Sequence, residues 1–354
     1  MAKRGSFVPR KAGITTDEGR IRVSLLAIPD AMISTLTGIY DVLNVFPLLG
    51  TFDDAVPTSA PFRVEIVAPE RTSSMTASGL PLAVHRSIDE IERTDIVILP
   101  SMVAEGGEWI PGRYPKTVEW LSAMHAGGAL LCSACSGVLL LAETGLLDGR
   151  EATIHWAFAP TFRRNFPRVK LRLKEALVAT GKRKEFVMSG ASASWHDLVL
   201  YLIARQVGPT AAQAIRRFLL LQWHVDGQAP YIAFAPPVDH GDATVLKLQQ
   251  WLKGHLTVAS PVEEMVKLSA LPERTFKRRF RKATGYSPIA YAQNLRIEEA
   301  KRRLERTEHP IDEISWAVGY EDPAFFRRLF RRITRLAPGD YRRKFRMPAL
   351  PGIG

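Results

Sequence analysis

Four positions in the last third of the chain recur at a constant offset of fifty. Phe276, Phe280, Pro288 and Tyr291 return as Phe326, Phe330, Pro338 and Tyr341. Basic residues travel with them: Lys277, Arg278, Arg281 and Lys282 against Arg327, Arg328, Arg331 and Arg332. The two phenylalanines of each copy stand four apart, so on a helix they share one buried face. The cations fall on another face of the same helix. Each copy therefore reads as the second helix of a helix-turn-helix. Two such units on one polypeptide predict a reader of double-stranded DNA that touches two successive stretches of groove.

In the first copy, residues 262–269 read as a short helix with Val262, Met265, Val266 and Leu268 as apolar positions. Residues 270–271 make the turn and Pro272 opens the next helix. There Arg274, Lys277, Arg278 and Arg281 follow the i, i+3, i+4, i+7 spacing of an outward face. In the second copy, residues 311–318 precede a turn at 319–322, and Pro323 opens the helix. Phe326, Phe330 and Ile333 point inward; Ala324, Arg327, Arg328 and Arg331 point outward. A helix over roughly residues 289–306 separates the copies. At ~1.5 Å per residue it is about 27 Å long, on the order of one duplex turn. Arginine suits bidentate contact with guanine, so G-containing half-sites are expected; the alternative for Arg278 and Arg328 is contact with phosphates alone. Arg279 and Lys282 are assigned to solvent or phosphate.

The charge follows the repeat. Of a net +12 over 354 residues, residues 243–354 carry 23 basic and 12 acidic side chains, and the remainder 25 and 24. Nearly all the excess therefore sits on the repeat-bearing segment, as an electrostatic footprint for phosphates requires. The length predicts about two domains at ~150 residues each. Two cysteines, Cys132 and Cys135, cannot staple a chain of this size, which points to a reducing cytoplasm. The N-terminus lacks the apolar core of a secretory signal. No apolar run reaches the ~18 residues that span a bilayer. Residues 1–20 and 347–354 read as polar or irregular tails.

From residue 21 apolar, β-rich runs alternate with helical stretches. Candidate strands lie at 21–28, 62–67, 95–99, 129–134 and 152–155, and candidate helices at 38–49, 117–126, 138–144, 195–207 and from Thr210. Residues 173–180 and 185–188 flank Gly181 as an antiparallel hairpin. The alternation predicts a flavodoxin-like α/β domain over 21–225, a mostly parallel sheet with helices on both faces. Residues 226–242, rich in Pro and Gly and without periodicity, read as a linker. Beyond them, residues 243–346 show no strand pattern and read as an all-α domain, with prolines at the first turns of short helices.

The segment 244–345 closely resembles the AraC/XylS family of transcription regulators through RTFKRRF, TGYSP, LRIEEAKRRL, ISWAVGYEDPAFFRRLFRR and the AP and DYRRKF that follow. The resemblance implies two helix-turn-helix modules reading adjacent major-groove segments of a promoter. One departure is Arg335, where the family has a glycine after the second recognition helix, as Gly285 is after the first. A left-handed turn there strains a residue with a Cβ.

Cys135 ends an apolar run (ALLCSA) that turns into a helical one (SGVLLLAET). Such an elbow presents a nucleophile at the top of a sheet, and a helix N-terminus lowers a thiol's pKa. His155 follows the next run, in TIHW, so nucleophile with base is one reading and an inert packed thiol the other. Cys132 and Cys135 spell CxxC, but Cys132 lies in the apolar run, against a redox pair.

The stretch CSGVLLLAETGLLDGREATIHW looks like the PfpI-like branch of the class I glutamine-amidotransferase-like superfamily, over roughly residues 21–222. The resemblance carries the elbow cysteine onto Cys135 and the histidine onto His155. The acidic residue of family enzymes falls on Thr35, with Asp30 and Asp41 nearby, and the histidine after the cysteine of protease members falls on Ser136. These departures remove the activating groups and imply a sensor, not an enzyme. The pocket is then expected at the carboxyl ends of the strands, lined by Thr35, Pro100, Ser101, Cys135, Ser136, His155, Trp156 and Trp195. Trp156 and Trp195 either wall a cage for a cationic amine or pack in the core. His196 and Asp197, next to Trp195, are assigned to solvent or capping.

Together the two resemblances are those of GlxA-type regulators. They imply a cytoplasmic, sequence-specific activator that binds double-stranded promoter DNA, works with RNA polymerase, and dimerises through its N-terminal domain. A small-molecule effector, with amines and amino-acid derivatives among the candidate classes, is implied as the controlling ligand. No enzymatic activity, cofactor, metal or membrane partner is expected.

Overall fold

The strand-forming runs of the first half close into one seven-stranded sheet. The computed structural model describes residues 19–71 and 74–348, so most of both expected tails lies outside the described residues. The chain divides between Gln228 and Ala229 into two compact units.

In the first unit the strands are β1 (Ile21–Leu26), β2 (Phe62–Ala68), β3 (Ser74–Met75), β4 (Pro81–Leu82), β5 (Arg86–Ser87) and β6 (Ile96–Leu99). They continue as β7 (Leu130–Ala134), β8 (Glu151–Ala152), β9 (Lys170–Leu171), β10 (Leu177–Thr180) and β11 (Phe186–Ser189). The main sheet runs β10-β11-β7-β6-β1-β2-β5, parallel throughout except for the β10–β11 hairpin. Every residue of β6 is buried although alternate side chains point to opposite faces, so both faces are covered. The covering helices are α1 (Ile33–Asn44), α2 (Phe46–Leu49), α3 (Pro115–Ala126), α4 (Gly137–Glu143), α5 (Ala159–Asn165), α6 (Trp195–Gln206) and α7 (Pro209–Phe218). Of these α1 packs with α6, and α3 with α4. Register sets the site: Leu99 lies opposite Ser133, and Ala134 opposite Ser189, which brings the carboxyl ends of β6, β7 and β11 side by side.

The expected strand at 152–155 is corrected. Only Glu151–Ala152 pairs, with Lys170–Leu171 and outside the main sheet. The next residues bond to side chains instead of a strand. The Gln228 amide Nε2 donates to Thr153 Oγ1 (3.1 Å) and to the Ile154 carbonyl (3.2 Å). His155 then accepts from the Ala157 amide and caps a short 3-10 turn.

The stretch read as a linker carries structure of its own, fixed by buried polar side chains that hydrophobic periodicity does not register. Gln228 is 2% exposed within the first unit. In the second unit, buried Lys301 donates to the Ile232 carbonyl (2.7 Å), Glu298 accepts from the Phe234 amide (3.2 Å), and the His240 ring bonds Gln249 (2.8 Å).

The second unit is built of α8 (Ala243–Gly254), α9 (Pro261–Ser269), α10 (Glu273–Thr284), α11 (Pro288–Arg306), α12 (Ile311–Ala317), α13 (Pro323–Thr334) and α14 (Pro338–Phe345). It has two small cores. Val245, Leu248, Leu252, Met265, Phe276, Phe280, Tyr291 and Ala292 make the first. Ile297, Ala300, Leu304, Ile314, Val318, Phe326, Phe330 and Tyr341 belong to the second. The long helix α11 gives its first turns to one core and its later turns to the other, so it is a rigid spacer between the copies. Between α12 and α13, Gly319 has φ 87°, and a Cβ there would lie 2.8 Å from the Leu256 carbonyl oxygen. Only glycine lets the loop approach so closely.

Candidate nucleic-acid interface and elbow site

The repeat in sequence is a repeat in space. Phe276 and Phe280 meet at 5.5 Å and 58°, and Phe326 and Phe330 at 5.7 Å and 55°. Tyr291 stands edge-on to Phe280 at 5.2 Å, as Tyr341 does to Phe330 at 5.4 Å. The helix ends match as well. Thr284 and Thr334 each donate to the carbonyl four residues back at 2.8 Å, and each accepts from the amide two residues on at 3.2 Å. The chain then leaves each helix through a left-handed residue, Gly285 at φ 78° and Arg335 at φ 67°. The second turn therefore takes the glycine geometry with an arginine in it.

With the phenylalanines buried, the opposite face of each recognition helix is open. Arg274, Lys277, Arg278 and Arg281 on α10 are exposed, as are Ala324, Arg327, Arg328 and Arg331 on α13. A groove of about 820 Å³ runs beside α10, with Lys277, Arg278, Arg281 and Lys282 on its wall. Arg279 is exposed, in keeping with the solvated half of the expectation, but its guanidinium is already engaged. It is paired with Asp242, the residue that caps α8, and the guanidinium holds that carboxyl below its ordinary range. Sequence reasoning also missed two carboxylates in the second module: Asp312 pairs with Arg327, and Asp322 lies 3.8 Å from Arg328. Their signal was available, an aspartate in the first turn of α12 and an N-cap before Pro323.

At the elbow of the first unit, Cys135 holds φ 52° between β7 and α4, and its amide donates to the Ser189 carbonyl at 2.8 Å. Gly137 follows because the helix start abuts the end of β6: a Cβ there would be 2.5 Å from the Pro100 carbonyl oxygen. Ser136 is buried, with its Oγ accepting from the Met102 amide (2.7 Å) and donating to the Met102 carbonyl. The Ser101 carbonyl accepts from the Met32 amide (2.8 Å) just ahead of α1, which carries Thr35 in its buried face. Trp195 packs so closely on α1 that a Cβ on Gly38 would be 2.6 Å from its ring. Pro100, Ser101, Cys135 and Ser136 are thus brought together and buried; Thr35 is buried on α1, the helix that starts at this junction, and Trp195 is half-buried against the same helix at Gly38.

His155 and Trp156 are half-buried and stack on each other at 5.2 Å. Among the described residues no hydrogen bond joins His155 to Cys135. The Cys135 thiol has Ser192 Oγ at 3.6 Å instead. Of the two readings of this thiol, the packed one matches the structure and the one acidified by a helix N-terminus does not: burial at 2% exposure pushes its pKa up, against smaller opposing effects from Ser192, Ser136 and Ser101. Burial likewise pushes the Cys132 thiol up to about 12. It also lowers the His155 pKa, so both elbow candidates favour their neutral forms. Asp30 is held by Arg113 at 2.6 Å. Asp197 is not solvated: it is 2% exposed and accepts from the His224 amide (2.7 Å), with the His224 ring at 2.6 Å. The described residues contain no group of three or more His, Cys, Asp or Glu placed to hold a metal, and no helix long and apolar enough to cross a membrane.

Residues 38–170 match the family model for the DJ-1/PfpI family, and residues 265–344 that for a helix-turn-helix domain. The chain is 24% identical over 282 residues to the HTH-type transcriptional regulator CdhR of Pseudomonas aeruginosa, across 79% of this chain and 82% of that one. It is 26% identical over 288 residues to the regulator GlxA of Rhizobium meliloti, across 80% and 86%. To the regulator GbdR of Pseudomonas aeruginosa it is 26% identical over 271 residues, across 75% and 71%. A DJ-1/PfpI-family domain with its elbow buried, followed by two matched helix-turn-helices on a common spacer, is an arrangement similar along most of the chain to the regulators CdhR, GlxA and GbdR, and the chain is a DNA-binding transcription regulator of that kind.

Proposed function

We propose that this regulator binds promoter DNA through α10 and α13 together, using Arg274, Lys277, Arg278 and Arg281 on the first and Ala324, Arg327, Arg328 and Arg331 on the second. The observation that carries the reading is the matched pair of exposed basic helix faces, each backed by its own phenylalanine core and separated by α11. Nineteen residues of α11 span about 28 Å, close to one duplex turn, so both faces can enter successive major-groove segments. The test is Arg278→Ala and Arg328→Ala in full-length protein, with binding to a selected duplex measured at fixed salt. Each variant should lose sequence-specific affinity while circular dichroism stays unchanged. Wild-type affinity in both would refute the assigned roles.

The first unit is proposed to sense a small molecule rather than to catalyse. A buried thiol with a raised pKa and no hydrogen-bonded base lacks the activation that nucleophilic catalysis needs. Thr35, Pro100, Ser101, Cys135, Ser136, His155, Trp156 and Trp195 are proposed to frame the effector site, with an amine or amino-acid derivative as the ligand class. The effector acts only if it binds the DNA-competent arrangement with a different affinity from the other. We further propose a cytoplasmic homodimer that activates transcription with RNA polymerase. Calorimetric titration of wild type and Trp195→Ala with a panel of such compounds tests the site; equal affinity for every ligand that binds would rule out this location.

A further inference from the structure

We propose that the two helix-turn-helices are unequal readers: the first supplies most of the phosphate-neutralising charge and reads guanine, while the second reads thymine methyl groups through Ala324 and Phe325. The inference deepens the DNA-binding reading above and rests on it.

The offset of fifty makes the comparison position by position. Where the first copy has Arg274 and Thr275 in the opening turn of its recognition helix, the second has Ala324 and Phe325. That turn is the part of a recognition helix that meets base edges. Arginine there matches the acceptors of guanine, whereas alanine and phenylalanine match the methyl group of thymine. Phe325 is available for this: it is 40% exposed and lies at 5.7 Å from the Tyr320 ring, while its neighbour Phe326 is the buried core residue.

The charges differ in the same sense. On the outward face of α10, Arg274, Arg278 and Arg281 have no carboxylate partner among the described residues, and only Lys277 is paired, with Glu273. On α13 the order is reversed. Arg327 pairs with Asp312 and Arg328 faces Asp322, leaving Arg331 without such a partner. The positions of Asp312 and Asp322 in the first copy are Val262 and Pro272. The carboxylates are therefore additions specific to the second module. Exposed pairs of this kind are individually weak, yet each carboxylate still brings a negative charge to a surface that must approach phosphates. It cancels one cation's share of counterion release.

The test begins with selection of bound duplexes from a random library by the full-length protein. The expected site is asymmetric, with guanine in the stretch protected by α10 and thymine in the stretch protected by α13. Replacing one contacted thymine by deoxyuridine, which removes only the methyl, should weaken wild-type binding about fourfold, the value of one buried methylene-sized group. Phe325→Ala should lose most of the difference between the two duplexes, with Ala324 left as the remaining apolar contact. Asp312→Asn and Asp322→Asn should each bind more tightly, with a log–log salt slope steeper by about 0.9; asparagine preserves the cap at position 322. Equal binding to thymine and deoxyuridine duplexes, together with unchanged slopes in the asparagine variants, would overturn the inference and leave the DNA-binding reading intact. No enriched duplex at all would overturn that reading instead, and this inference with it.

Discussion

Gly285 and Arg335 form a natural pair for measuring the cost of a left-handed helix end. Both residues end their recognition helices at positive φ, 78° and 67°, behind threonines with the same hydrogen bonds. A Cβ on Gly285 would meet nothing within 4 Å, so Gly285→Ala changes backbone energy and adds no clash. Placing a Cβ in the left-handed region costs about 1–2 kcal/mol. Removing glycine's freedom from the unfolded chain returns about 0.5–1 kcal/mol. The net is a destabilisation of about 0.5–1 kcal/mol, a twofold to fivefold rise in opening at 25 °C by the same arithmetic. The reciprocal comparison is Arg335→Gly against Arg335→Ala. Both lose the arginine side chain and its interactions, and only glycine relieves the turn. Arg335→Gly should be the more stable of the two by the same 0.5–1 kcal/mol. Hydrogen exchange read on peptides from α10 and α13 in the full-length protein isolates each module. Gly285→Ala exchanging like wild type, or Arg335→Gly no more protected than Arg335→Ala, would refute the account of these turns.

Three further outcomes follow from the first unit. Cys135 should alkylate slowly at pH 7, its rate rising only well above the ordinary thiol range, because burial raises its pKa; labelling as fast as free cysteine would contradict this. Asp197→Ala removes the buried acceptor of two bonds to His224. It should destabilise the unit by about 3 kcal/mol in denaturant titration, and a change near zero would show that the segment is held by other contacts. Burial lowers the pKa of both His155 and His196 below the 6.5 of a free imidazole, so the fold prefers their neutral forms. Their contribution to stability is then present above pH 6.5 and is lost as pH falls below it, and His155→Gln with His196→Gln should flatten unfolding free energy between about pH 7 and 5; an unchanged slope would count against burial as the cause.

How legible each part was depends on how its information is written. The recognition helices were legible almost residue by residue, because Phe276, Phe280, Phe326 and Phe330 sit at helical spacing and the cations occupy the complementary face. The parallel strands were legible as apolar runs, since a sheet covered on both faces needs no alternation. What periodicity could not show was polar chemistry between distant segments. Gln228 donating to Thr153, Ile154, Leu173 and Glu175 lies 53 to 75 residues from its partners. A short β-rich run at 152–155 looks like a strand until that amide takes its bonds. Asp197 likewise looks like a polar residue beside a tryptophan; its partner at position 224 lies beyond another helix. The raised thiol pKa of Cys135 was equally out of reach, because a motif gives the elbow's position while only the packed fold gives its exposure.

That last point bears on what the elbow does for the fold. Cys135 keeps a strained φ of 52°, which no residue with a Cβ adopts without support. The support is visible: its amide is tied to Ser189, Ser136 grips the Met102 backbone, and Gly137 is the only residue that fits under Pro100. These contacts join the ends of β6, β7 and β11 to the start of α1 through Ser101 and Met32. A histidine in place of Ser136 would give up both bonds to Met102, so the residue that departs from the protease pattern is itself part of the tie. The elbow is thus retained as a junction that fixes four elements at one point. Such a junction suits a domain proposed to change arrangement when a ligand binds beside it, because a displacement of α1 or of the β6 end cannot occur without disturbing the others.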